Sequence, residues 1–322
     1  MKQTKTQRRE RARYKRRHSL REWKKSLGKY WQLYLLLIPV VANFVIFHYV
    51  PMTGIQIAFK DFMLNLGVWG SEWLGFDHFK RFFTSYNFWT ILSNTLTLSV
   101  LSLAISFPLS IGLALLLNEI RNKKLNSVLQ TVFVVPHFVS TVVVVGMMQA
   151  FLSPETGIIN ILLEKLGLIQ EGIYFTRLEE WFRPMYIISD LWQNLGWSAI
   201  IYLSALSAID TGLYEAAEID GASRWQQLRR ITIPCIWPTI VIQLILKCGH
   251  IMSVGHEKVL LMQTSTNLNV SEIISTFVYA KGIKAQQYDY ATAIGLFNAV
   301  VNLIVLLVVN RIAKKRSEVS LF

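Results

Sequence analysis

The sequence predicts an all-α membrane protein of six transmembrane helices, and three observations carry that expectation. Of its 322 residues, 52% are hydrophobic and only 16% charged, where a globular domain carries about a quarter. Six apolar runs each reach the roughly 20 residues a helix needs to cross a hydrocarbon core. Lysine and arginine fall unevenly on alternate sides of those runs, which orients the chain. The spans must be helices, because an amide in lipid has to find its hydrogen bond within its own segment.

Residues 1–30 come first. They hold thirteen Lys/Arg against two acids, Glu10 and Glu22, and so supply most of the formal net charge of +13. A basic balance can signal nucleic acid, but here the excess sits at one end and the remainder is close to neutral. No nucleic-acid partner is expected. The segment is a topology signal, or it also rests on anionic lipid at about 1 kcal/mol per Lys/Arg near the surface. It is too long for the basic region of a secretory signal, and no small-residue cleavage pattern follows.

Residues 31–313 then form one six-helix domain, with spans at 31–51, 91–117, 127–151, 184–208, 233–254 and 290–312, followed by a tail at 314–322. Pro39, Pro108, Pro136 and Pro238 fall inside spans, where neighbouring helices repair the bonds proline removes. One side of the membrane holds twenty-three Lys/Arg and the other nine. The richer side, with both termini, is cytoplasmic in the cell membrane. Residues 155–183 and 257–289 are then external. In the second, Asn269 with Glu272 resembles a capping box and Gly282 a helix stop. Ile273, Ile274, Phe277 and Val278 make a stripe that packs on the bundle or meets an external partner.

Cys235 and Cys248 give neither a disulfide framework nor a metal-ligand spacing, and read as small buried apolar side chains. No GxxxxGK[ST] phosphate loop is present. His256-Glu257-Lys258-Val259-Leu260 begins like a zinc-protease helix but has leucine where the second histidine belongs, so no metal site is expected. No GxSxG elbow appears either. The chain does not read as an enzyme.

The charged segment GLYEAAEIDGASRWQQLRRITIP, residues 212–234, lies between the fourth and fifth runs on the cytoplasmic side. Asp210 or Thr211 can cap a short helix to about Ile219. Gly221 permits the backbone of a turn, and Ala222 to Arg230 can form a second helix. Ala216 and Ala217 allow close approach by another surface, while Trp225 and Leu228 share a face. Helix, glycine, helix and a proline at membrane entry make a rigid arm over 210–234.

Glu-Ala-Ala, three residues, Gly, nine residues, Ile, one residue, an aliphatic and Pro resembles the EAA loop of binding-protein-dependent ABC importer permeases. Here those positions are Glu215, Ala216, Ala217, Gly221, Ile231, Ile233 and Pro234, with Ile233 where the family usually has Leu. In the family this loop is the coupling helix, docked in a groove of a cytoplasmic ATPase. The resemblance therefore implies ATPase contact through Glu215, Ala216, Ala217, Asp220, Gly221, Trp225 and Pro234. It implies the type I importer membrane fold, a second homologous permease, two ATPase subunits and an extracellular solute-binding lipoprotein. ATP and Mg then belong to the partner ATPase, and this chain binds no cofactor. The stretches LYLLLIPVVANFVIFHYVPMTGIQIAFKDF, Asn94-Thr95-Leu96, VVPHFVS and YDYATAIGLFNAVVNLIVLLVVNRIAKK are similar to the carbohydrate-uptake branch, the LplB/YteP-like permeases, so an oligosaccharide substrate is implied.

Polar groups inside spans are costly and mark function. Asp190, Trp192, Gln193, Asn194 and Trp197 form one cluster; Ser253, His256 and Glu257, late in the fifth run, form another. Sugars want hydrogen-bonding groups at their hydroxyls and aromatic faces against their C–H faces, and both are present. The resemblance, aligned through the EAA loop, puts Trp192, Asn194 and Trp197 at or beside sugar contacts of the maltose-type permease, and Ser253 and His256 at a second contact region. The same side chains also suit helix–helix hydrogen bonds and interface anchoring, Asp190 especially. Lys247 could meet a carboxylate on the partner permease or on an acidic sugar. Two alternatives remain: a same-fold permease for a peptide, amino acid or anion, and a secondary transporter. Against the latter, no internal repeat is visible and Asp190 is the only acid within a span.

Overall fold

The computed structural model describes residues 28–317 and 319–321; the expectations for residues 1–27 lie outside the described residues. Apolar length decides the first element. Trp31–Phe59 (α1) is one helix of 29 residues, and it runs through Pro39 without burying a residue between Trp31 and Phe44. A short antiparallel hairpin follows, pairing Lys60–Asp61 (β1) with Glu72–Trp73 (β2). Next come Asp77–Phe83 (α2) and Phe88–Asn118 (α3), the latter continuous through Pro108.

The third apolar run is not one straight span. Lys123–Phe138 (α4) and Thr141–Phe151 (α5) meet at a bend of 96°. Pro136 enters a tightened turn there, and Ser140 caps the new helix by accepting Val143 N–H at 3.4 Å. Pro136 has no amide to continue the hydrogen-bond ladder, the backbone turns extended at Val139 and Ser140, and serine offers the next helix its start. Ile158–Lys165 (α6) leads to Glu179–Ser207 (α7), 29 residues long. Among the described residues α1, α3, α9 (Arg224–Cys248) and α12 (Tyr288–Ser317) are long and apolar enough to cross a membrane, with a fifth if α4 and α5 count as one broken span. The polar stretch of α7 around Asp190 to Asn194 dilutes its hydropathy.

Between α7 and α9 lies Thr211–Ile219 (α8). The expected second helix of the arm and the fifth span prove to be one object, since α9 starts at Arg224 and passes through a π-helical turn at Leu228–Thr232 before Pro234. It also ends early, at Cys248, so Ser253, His256 and Glu257 do not lie on it. After an irregular stretch come His256–Met262 (α10) and Ile274–Tyr279 (α11). The Asn269 capping box does not form, because Glu272 is extended and the Asn269 amide instead donates to Glu179 Oε1 at 3.0 Å. Ile273, Ile274 and Phe277 are buried in the chain's own core, with Val278 packed against it. Gly282 does not stop a helix; it sits in a π-helical turn where a Cβ would come within 2.8 Å of Ala291 Cβ. Cys235 is exposed and Cys248 half-buried, contrary to the buried expectation, because α9 turns the Cys235 side outward while Ile236 and Ile240 face in.

The core is organised around α7. Its first half packs Phe182, Met185 and Tyr186 against Leu98 of α3, Val259 of α10 and Ile273. Its second half packs Ala199, Tyr202 and Leu206 against Ala114 and Leu117 of α3 and Ile236 of α9. At Gly196 the backbone of α4 presses directly on α7, for a Cβ there would lie 2.1 Å from the Phe133 carbonyl oxygen. Such contact needs a missing side chain. It fixes the bend at 139–140 beside the middle of α7.

Candidate functional site

Helical spacing gives α7 two faces. Asp190, Gln193 and Asn194 lie three and four residues apart and share one. Trp181, Met185, Ile188 and Trp192 share the opposite one and line an apolar groove of about 530 Å³ with Val144 and Phe151 of α5. The polar face closes a second cleft, also about 530 Å³, whose other walls are the α4–α5 bend (His137 to Thr141) and the start of α10 (Gly255 to Lys258). Two helix breaks and one polar helix face therefore converge.

One hydrogen-bonded chain crosses that cleft. Lys258 Nζ stands 3.3 Å from Asp190 Oδ1, and the same oxygen accepts the Asn194 amide at 2.8 Å. Asn194 Oδ1 is 2.9 Å from His137 Nδ1. An ionised Asp190 only accepts, so Asn194 turns its amide to it and its oxygen to His137, which donates from Nδ1. The His137 ring stacks on Trp197 at 4.5 Å and 9°. Gln193 donates to the Val139 carbonyl at 2.8 Å, which satisfies the backbone exposed by the bend. Burial lowers the Lys258 pKa, and the Asp190 charge opposes that shift. Gly255 admits the Tyr186 hydroxyl, which would lie 2.5 Å from any Cβ there.

Of the residues expected in this role, the structure brings Asp190, Gln193, Asn194, His256 and Glu257 together around the cleft. Trp197 joins through His137. Trp192 does not, since it lies two residues from both Asp190 and Asn194 and so points to the apolar groove. Ser253 turns toward α12, accepting the Asn302 amide at 3.0 Å. Sequence reasoning missed His137, Ser140, Thr141, Tyr186 and Lys258. The Pro136-His137 pair followed by Ser140 was the available signal for the first three. Lys258 had none, being counted as a loop lysine. The Lys247 side chain is half-buried and has no hydrogen bond or ion pair among the described residues. No group of three or more His, Cys, Asp or Glu among the described residues is placed to hold a metal.

The charged arm has defined ends. Asp210 accepts Gly212 N–H at 2.9 Å and caps α8. At the far end Ala222 N–H bonds Ala217 O at 2.8 Å and Gly221 N–H bonds Glu218 O at 3.0 Å, with Gly221 at φ +75°. This is the Schellman arrangement, which needs glycine for its left-handed residue. Ser223 and Gln226 then form a reciprocal cap for α9. Tyr214 bonds Thr232 at 2.9 Å and Arg224 pairs with Glu119 at 3.0 Å, so the arm is tied to both α9 and α3. Glu215, Ala216, Asp220 and Pro234 are exposed and Ala217 is half-buried. Among the described residues Ile219 and Trp225 stand out at 86% and 68% exposure.

Residues 106–318 match the family described as the binding-protein-dependent transport system inner membrane component. The chain is 47% identical over 290 residues to the Bacillus subtilis (strain 168) polygalacturonan/rhamnogalacturonan transport system permease protein YteP, covering 90% of each. It is 45% identical over 300 residues to protein LplB of the same organism, covering 93% of this chain and 94% of that one. A chain of a crystallised bacterial ABC transporter that imports the acidic polysaccharide alginate superposes with a TM-score of 0.84 at 43% identity, covering 92% of this chain and 99% of that one. A second crystal structure, of a bacterial alginate ABC transporter in complex with an alginate pentasaccharide-bound periplasmic protein, gives 0.84 at 42% identity with the same coverage.

Proposed function

Because this chain belongs to the binding-protein-dependent transport system inner membrane components, we propose that it is one of two permease subunits in an ATP-driven importer of acidic oligosaccharides. The observation that carries this reading is the polar cleft at the junction of α4, α5, α7 and α10. Its amides, hydroxyls and carboxylates suit sugar hydroxyls, and the Trp197–His137 stack borders it. Uronate chemistry enters from the relatives, whose substrates are polygalacturonan, rhamnogalacturonan and alginate. Within this chain Lys258 is already balanced by Asp190 and Glu257 adds a second carboxylate, so the wall holds no surplus positive charge. An importer benefits from that, since a site must bind weakly enough to release.

Force would come from outside the chain. The arm at 210–234 is the element offered to a cytoplasmic ATPase carrying ATP and Mg, with Glu215, Ala216, Ala217, Asp220, Gly221, Trp225 and Pro234 in or beside the contact. Its exposed Ile219 and Trp225 favour a protein surface there, and the unbroken run of α9 from Arg224 to Cys248 favours direct transmission of motion. The reading includes six spans over residues 31–313, with α7 and the broken α4–α5 pair as the two that composition alone does not mark. It also includes cytoplasmic termini and an extracellular solute-binding protein that delivers the sugar.

The test is reconstitution of the complex in proteoliposomes with its ATPase, second permease and binding protein. Labelled oligogalacturonate or alginate oligomers should enter at least about tenfold faster than a neutral maltooligosaccharide of equal length, a difference of about 1.4 kcal/mol. Equal or reversed rates would overturn the substrate class, and uptake without ATP would overturn the importer.

A further inference from the structure

We infer that the hairpin between α1 and α3 is a lipid anchor, seated in the headgroup layer at the far end of α1. This rests only on the chain crossing a bilayer and stands apart from the transport reading. Residues 62–71 carry no charged side chain. Leu64, Leu66, Trp69, Trp73 and Phe76 all point outward, Trp69 at 80% exposure. A loose loop would fold them in, but this one is held rigid. Ser71 Oγ donates to Gly67 O at 2.7 Å and accepts Met63 N–H at 3.1 Å. The sole lysine of the hairpin, Lys60, is buried and donates to Val68 O at 2.8 Å. Beneath the surface Phe59 stacks on Trp73 at 5.6 Å and meets Phe76 edge-on at 5.4 Å. The frame displays apolar and aromatic groups while withdrawing its cation.

Three features choose lipid as the occupant. First, α1 is 29 residues long, roughly 43 Å at 1.5 Å per residue, which exceeds a hydrocarbon core of about 30 Å and matches the full bilayer. Its last turn therefore delivers the hairpin to the headgroup region. Second, the exposed apolar surface of α1 runs through Val50, Met52 and Ile55 and resumes, beyond the exposed Asp61, at Met63 and Leu64. Third, tryptophan and tyrosine are the residues that settle at membrane interfaces, and Tyr86 and Trp89, also exposed, extend the belt beyond α2. The opposite side is bolted to α12. Phe62 N–H donates to Asp289 Oδ2 at 3.3 Å, His78 lies 3.5 Å from the same oxygen, and Arg81 covers the Tyr290 ring at 4.3 Å. The anchor thus sets the depth of α12 as well as α1.

The experiment places a nitroxide at Leu64→Cys or Trp69→Cys, in a chain with Cys235→Ser and Cys248→Ser, within the assembled complex in nanodiscs. Oxygen should relax the label more than a water-soluble nickel chelate does, at a depth of about 5–10 Å, with no change when the binding protein is added. Preferential access by the nickel chelate would place the hairpin in water. Protection that develops only with the binding protein would make it a protein-docking surface instead. Either result overturns the anchor. Should the labelled variants fail to assemble, the conservative Trp69→Phe/Trp73→Phe chain serves. Brominated lipid should quench less emission in it than in the parent, and an unchanged quenchable share contradicts the proposal.

Discussion

Removing either member of the Asp190–Lys258 pair should destabilise the complex, and by unequal amounts. At 3.3 Å and an effective dielectric near 20, the attraction between the two charges is roughly 5 kcal/mol before desolvation is counted. What matters for a variant is the charge left behind. The Lys258 side chain is only 5% exposed, whereas that of Asp190 is 28% exposed and keeps the Asn194 amide as a donor. Asp190→Asn strands a buried ammonium and should cost about 3–5 kcal/mol. Lys258→Met strands a carboxylate that can still reach water, and should cost about 1–3 kcal/mol. The double variant removes both charges and should return to within about 1 kcal/mol of the parent. The assay is the melting temperature of the purified complex in detergent, where each kcal/mol moves the midpoint by about 2–4 °C. A larger loss for Lys258→Met than for Asp190→Asn, or additive losses in the double variant, would refute this reasoning.

Three further outcomes follow from the geometry. Gly221 needs φ +75° but has open space around it, so Gly221→Val should strain the arm by about 1–2 kcal/mol and reduce ATP-driven uptake at normal membrane abundance, while Gly221→Asn keeps most of it; equal uptake in both variants would contradict the turn's role. Gly196→Ala drives a methyl against the Phe133 carbonyl and should cost about 1–3 kcal/mol by overpacking, seen as lower complex yield and melting temperature. Asn160, wholly buried, donates to Leu152 O, Ser153 O and Ile173 O and accepts Ile173 N–H. Asn160→Ala should therefore cost about 3 kcal/mol or more, and the melting temperature should fall on the order of 10 °C.

Much of this architecture could be read from the chain because its signals are local. Apolar length announced α1, α3 and α12, and the arm was legible in Asp210, Gly221 and the alanine pair, each with a backbone reason to be where it is. Failures came where a break competes with an apolar run. Pro136 with Ser140 bends the third run by 96°, yet hydropathy passes over such a junction unchanged. The early end of α9 at Cys248 moved Ser253 and His256 off the expected helix for the same reason. Trp192 was a misreading of period: two residues from Asp190 is the opposite face, which the 3.6-residue repeat already states. Lys258 is different in kind. Its partner lies 68 positions away, and pairing across that distance is created only when α10 packs on α7.

The cleft between α7 and the helix breaks can be probed directly by thiol chemistry. In the assembled complex, Asn194→Cys with Cys235→Ser and Cys248→Ser would be labelled by a small hydrophilic maleimide with and without acidic oligosaccharide. The account predicts that saturating sugar slows labelling by about tenfold or more, while a cysteine at Trp192 in the apolar groove is unaffected. Equal labelling rates at position 194 with and without the sugar would contradict it.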